Sequence, residues 1–132
     1  MEYLAHIDRD NDRVQSVKEH LQGTAKLAES FAESFGSGDW GYCCGLLHDV
    51  GKYSEAFQTK IRENGNQMVD HATAGAQLCL SEKGFYWIAA FCIAGHHAGI
   101  PDYGNASDTR SLRGRMEKKI PDYQAFREEI AV

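Results

Sequence analysis

Long apolar runs are absent from this sequence. The longest, Phe85 to Ala94, is about half the ~20 residues that a bilayer span requires, so it reads as a buried helix and no membrane is implied. The N-terminal residues lack the basic-then-apolar pattern of a secretory signal. Cys43, Cys44, Cys79 and Cys92 lack CxxC spacing and stand in apolar contexts, which fits reduced thiols in a cytoplasmic protein better than a disulfide frame. There is no excess of positive charge. The net charge of −5 argues against a uniformly basic nucleic-acid binder, although the distribution of charge matters more than its sum. No internal repeat, low-complexity tract or sustained strand alternation is visible. What is there is 132 residues, 42% of them hydrophobic, which suits one domain with one core.

Met1 to Arg13 is polar and reads as irregular. Val14, Val17, Leu21, Ala28, Phe31 and Phe35 follow helical spacing, predicting a first helix over 14–35 that stops at Gly36 and carries His20 on the edge of its buried face. Asp39 is a candidate N-cap for a buried helix from Trp40 to Val50, and Ser54 for a third over 55–63 with Ala56, Phe57 and Ile61 facing inward. Asp70 caps a predicted fourth helix over 71–82, which ends at Gly84. Phe85 to His97 is the fifth and most apolar helix, closed by Pro101. Residues 108–119 hold a short helix at most, and Pro121 opens a last helix running to the end of the chain. The class is all-α, a bundle of about five to seven helices.

The chemistry concentrates in GLLHDVGK, Gly45 to Lys52. His48 and Asp49 are both ligand types for divalent metals, and adjacent helical positions point about 100° apart, so both can lean towards one centre. Five of the six histidines stand in similar surroundings: His20 on a helix face, and His48, His71, His96 and His97 at helix ends or beside glycines. Singly, His20 reads as a satisfied boundary residue and His71 as the opening of a helix. The pair His96-His97 is harder to explain without a partner, because buried imidazoles are costly unless satisfied. Jointly, five histidines and Asp49 exceed one tetrahedral site and suit two metals bridged by the carboxylate. The spacing matches neither HExxH nor cysteine-rich zinc motifs.

His20, His48-Asp49 within LLHDVGKYSEAFQ, DHATAGA from Asp70 to Ala76, and GHHAGIPD from Gly95 to Asp102 occur in an order that resembles the HD superfamily. The extended motifs are similar to the HD nuclease domain of the type I CRISPR helicase-nuclease, over about residues 4–102. The resemblance implies a helical HD bundle and metal-dependent cleavage of DNA, preferring single strands, in antiviral defence. It implies that His20, His48 and Asp49 hold one metal, and that Asp49 bridges to a second held by His71, His96 and His97. It makes Asp49 and Lys52 catalytic, with Lys52 contacting a phosphate. Histidine-rich ligation favours one or two transition-metal ions (Mn, Fe, Co, Ni or Zn) over magnesium. The implied partners are single-stranded DNA, a helicase domain or subunit, and a CRISPR surveillance complex. The family completes the first metal site with an acidic residue beyond the HH motif. Asp108 and Asp122 lack the SxLxxAD-like context of that residue, so the first site is expected to be incomplete or weak. The expectation for the whole chain, 1–132, is an HD nuclease domain in fragmentary or shortened form, without the family's C-terminal helices.

Arg110, Arg113, Arg115, Lys118 and Lys119 form the one basic cluster and are the candidate DNA contacts; a solvated polar loop is the plainer reading. Tyr53 and Tyr103 are candidate stacking or packing residues. Two other functions compete. An HD phosphohydrolase of nucleotides would share the His-Asp pair but close a pocket around base and ribose. A non-catalytic interaction domain would bind one metal or none.

Overall fold

The computed structural model describes residues 1–81 and 86–132. Its described residues form six α-helices and one two-stranded sheet: β1 (Leu4–Asp8), β2 (Arg13–Ser16), α1 (Val17–Ala32), α2 (Gly38–Leu47), α3 (Glu55–Arg62), α4 (Thr73–Ser81), α5 (Tyr86–Gly95) and α6 (Leu112–Met116). The all-α class is correct, with one addition at the N-terminus. No helix among the described residues is long and apolar enough to cross a membrane.

The addition corrects the irregular reading of residues 1–13. β1 and β2 pair as an antiparallel hairpin, Ile7 opposite Val14 and Asp8 opposite Arg13. Asp8 closes the turn by accepting bonds from the backbone and side chain of Asn11. A register irregularity between Leu4 and His6 turns both Leu4 and Ala5 inward. That irregularity breaks the alternation by which a strand is recognised.

α1 therefore starts at Val17, not 14. Ser16 and Glu19 form a capping box, each side chain taking the other's backbone N–H. Its buried face is Val17, Leu21, Ala25 and Ala32, whereas Phe31 and Phe35, part of the apolar spacing that predicted the helix, are 71% and 72% exposed. α2 begins one residue before Asp39, which is not its cap, and ends at Leu47 instead of Val50. It packs on α1 because Gly45 has no side chain: a Cβ there would lie 2.6 Å from Ala25 Cα.

α3 is capped by Ser54 as expected, but Gln58 is buried where Ala56 was predicted to be, and Ala56 is exposed. Asp70 accepts from the backbone N and hydroxyl of Thr73, capping α4 from three residues upstream. The predicted end of the fourth helix at 82–84 and the start of the fifth at Phe85 lie outside the described residues. α5 is not buried throughout: Ala89, Ala90, Ile93 and Ala94 face the core, and Tyr86, Trp87 and Ile88 face solvent. The predicted last helix is only a 3-10 turn, Gln124–Glu128. Its core contacts are Phe126 and Ile130, and Tyr53 donates to Glu129 at 2.6 Å, tying this segment to the centre of the fold.

Candidate metal centre

α2 ends at His48-Asp49 and a 3-10 turn, Val50–Tyr53, follows directly. The tight turn swings Lys52 back beside Asp49, with Nζ 3.0 Å from Oδ2. Both groups are buried, Asp49 3% and Lys52 5% exposed. Gly51 lets this turn pass close under His71, since a Cβ would meet the His71 carbonyl oxygen at 2.4 Å.

Asp49 is the centre of the arrangement, and its two oxygens face different groups. Oδ2 faces His20 Nε2 at 2.9 Å and His48 Nε2 at 3.2 Å. Oδ1 faces His96 Nε2 at 3.1 Å and His71 Nε2 at 3.6 Å. His97 joins the second group through an Nε2–Nε2 distance of 2.8 Å to His71. One ligand atom from each of His20, His48 and Asp49 lies within 4.8 Å of the others, and the same holds for Asp49, His71, His96 and His97. The five histidines and Asp49 singled out from the sequence thus come together from α1, the end of α2, the approach to α4 and the end of α5.

The hydrogen bonds behind these rings decide what they face. His48, His96 and His71 each direct Nδ1 at a backbone carbonyl, of Gly45 (2.7 Å), Ile93 (2.7 Å) and Val69 (3.2 Å) respectively. Nδ1–H donates there, so Nε2 is the nitrogen turned towards Asp49. A neutral ring then sets a lone pair against a carboxylate oxygen, and only a proton or a cation between them makes that contact favourable. Burial works against ionising Asp49, but its bonds to His20, His48 and His96 outweigh burial and hold its carboxyl well below the usual range. Burial opposes protonation of His96 as well, yet the bond to Asp49 raises it overall. His71 and His97 are both pushed down, chiefly by burial, which leaves them neutral with a nitrogen lone pair for a cation. Imidazole nitrogens backed by carbonyls and converging on a shared carboxylate are a donor set for divalent metals.

Asp108 and Asp122 lie apart from these groups. Asp108 accepts from the backbone of Arg110, and Asp122 from that of Gln124. Among the described residues the first group has no carboxylate besides Asp49.

A cleft of about 880 Å³ opens beside the second group, lined by His71 and His97 and by Lys60, Arg110, Arg115 and Lys118. Three of the five predicted basic contacts therefore reach it, and Arg113 and Lys119 do not. Lys118 is paired with Asp70, whose carboxyl is held at about 2 because Lys118 and Thr73 outweigh the effect of burial. Arg115 donates to the Ala94 carbonyl, and Arg113 pairs with Glu117 at 3.5 Å. Tyr53 is a core residue and Tyr103 is exposed.

Two residues were not singled out from the sequence. Lys60 reaches the cleft from the last turn of α3, and nothing in its local sequence marks it. His6 stands on β1 with Nε2 3.4 Å from Lys52 Nζ. Strand alternation around it would have been the signal, and the register irregularity removed it.

The HD domain family model matches residues 17–124. The chain belongs to the HD domain family. Its members are metal-dependent phosphohydrolases, and the His/Asp cluster of this HD domain can hold a metal. The matched span carries all six residues of the cluster and begins after the hairpin. No curated protein matches the chain.

Proposed function

We propose that this HD domain is a metal-dependent nuclease. It hydrolyses phosphodiester bonds of DNA, prefers single strands, and serves CRISPR antiviral defence as the HD module working with a helicase domain or subunit and a surveillance complex. The observation that carries the reading is Asp49, with one oxygen turned to each histidine group, the second of which reaches through His71 and His97 into a cleft that four cations line together with Asp70 and Glu117. The extended motifs around His48-Asp49, His71 and His96-His97 support it.

His20, His48 and Asp49 would hold one ion, and Asp49, His71, His96 and His97 a second. When bound, two divalent cations there would polarise a water and neutralise charge growing on the phosphate. The imidazole-rich donors favour Mn, Fe, Co, Ni or Zn over Mg. The carbonyl bonds to Nδ1 of His48, His71 and His96 fix the rings before substrate arrives. Lys52 is a buried cation next to the bridging carboxylate and supplies positive charge where a phosphoryl oxygen becomes more negative. Lys60 and Arg110 hold the strand through its phosphates, which carries no sequence preference.

The test is cleavage of circular and linear single-stranded DNA by the metal-loaded chain, with Asp49→Ala as control. Removing the carboxylate common to both groups should lower the rate by at least about 10²–10³-fold, and circular dichroism should still report helix. An Asp49→Ala variant as fast as the parent would refute the reading. One observation favours a second reading: the volume of the cleft also suits a nucleoside phosphate. Turnover of nucleoside phosphates well above that of single-stranded DNA would select a nucleotide phosphohydrolase instead.

A further inference from the structure

The first histidine group offers three donors, His20, His48 and Asp49, and a tetrahedral ion takes four. We propose that His6 is the fourth donor of this position. The inference rests on the metal-centre reading above and extends it to a residue outside the matched family span.

Three observations place His6 beside this position, although its nitrogens lie outside the 4.8 Å set formed by the other three. Its ring packs edge-on against His20 with centroids 4.9 Å apart, the same separation as between His20 and His48. Its Nε2 points at a cation: Lys52 Nζ lies 3.4 Å away, and that ammonium is also 3.0 Å from Asp49 Oδ2. Lysine only donates, so Nε2 of His6 presents its lone pair to a positive charge resting on the bridging carboxylate. The strand is also held firmly in place. Leu4 donates its backbone N–H to Gln58 at 2.9 Å, and Gln58 donates to the carbonyls of Leu4 (3.0 Å) and Lys52 (2.8 Å). One buried side chain therefore locks the hairpin bearing His6 to the turn bearing Lys52.

A divalent ion held by His20, His48 and Asp49 would repel the ammonium of Lys52, and displacement of that ammonium would leave His6 Nε2 free to serve as a donor. In the metal-free protein the two roles of His6, holding Lys52 and binding metal, would look alike; metal affinity separates them.

The experiment measures binding of Co(II) alone to the full chain, by competition with a chelating dye and by elemental analysis after gel filtration. The variants are His6→Gln, whose amide oxygen can still accept from Lys52, and His6→Asp, which supplies a carboxylate. His6 is exposed, so neither variant disturbs the core. The parent should take two equivalents. His6→Gln should weaken one of them by at least about 10–100-fold, the range already seen when only a partner behind a ligand is lost, and leave the other unchanged. His6→Asp should keep both, with a changed Co(II) absorption band. A His6→Gln variant with two equivalents at parental affinity overturns the role of His6 and leaves the metal centre standing. A parent that takes one equivalent, indifferent to His6→Gln, does the same. A parent that binds no Co(II) overturns both readings.

Discussion

At the scale of single residues, the site is an electrostatic balance around Asp49. Without metal, that one carboxylate offsets the ammonium of Lys52, and both are almost wholly buried. Removing one partner of a buried pair leaves the other charge uncompensated, which is more damaging than removing both. Asp49→Ala should therefore lower metal-free stability by about 3 kcal/mol, and adding Lys52→Met should recover most of that loss, because the apolar stem keeps its packing. Urea titration of the parent, both single variants and the double variant checks this as a double-mutant cycle. Additive losses in the double variant would show that the two groups do not offset each other. The residues of the centre were legible in the sequence for a simple reason: each ligand sits in a short motif, at a helix end or beside a small residue, and the motifs keep their order. Their division into two groups was implied by the family resemblance and not by spacing, because it depends on which oxygen of Asp49 each ring faces.

At the scale of elements, what could be read was periodic and what was missed was irregular. The helices at α1, α3 and α4 follow from apolar spacing and caps. The hairpin hides behind a register break, and the segment after Pro121 is a 3-10 turn because Asp122 bonds to Gln124 and Tyr53 fastens Glu129, stopping a longer helix. Phe31 and Phe35 share the apolar spacing but not the buried stripe of α1, whose Ala25 and Ala32 are small where α2 lies so close. That closeness gives a prediction. In an exposed helix Gly→Ala usually stabilises by roughly 1 kcal/mol. At Gly45 the sign should reverse, because the new Cβ would meet backbone atoms of Ala25 at 2.6 and 2.7 Å, and backbone cannot give way as a side chain tip can. Gly45→Ala should cost roughly 1–3 kcal/mol. It should also move His48, on the end of α2, away from His20, on α1, and so weaken the first metal equivalent more than the second. Thermal unfolding and Co(II) titration together check both parts, and an unchanged ratio between the two metal affinities would refute the coupling.

At the scale of the whole molecule, the proposed nuclease reading requires a chain with a net charge of −5 to attract a polyanion. Salt screens charges beyond about 10 Å at 0.1 M, so the cleft acts through its local cations and not through the sum over the surface. Of the four cations on its wall, Lys118 is committed to Asp70 and Arg115 to the Ala94 carbonyl, which leaves Lys60 and Arg110 as the groups available to phosphates. Each phosphate neutralised on a single strand adds about −0.7 to the slope of log affinity against log salt. Two such contacts predict a slope near −1.4, and all four would give about −2.8. Measured by fluorescence anisotropy on the metal-free protein with a labelled single strand, the parent should lie between these values. Arg110→Ala should flatten the slope by about 0.7, while Lys119→Ala, off the cleft, should leave it unchanged. If both variants flatten it equally, the strand follows general surface charge instead of the cleft. If neither does, Arg110 makes no phosphate contact and the path to Asp49 runs elsewhere.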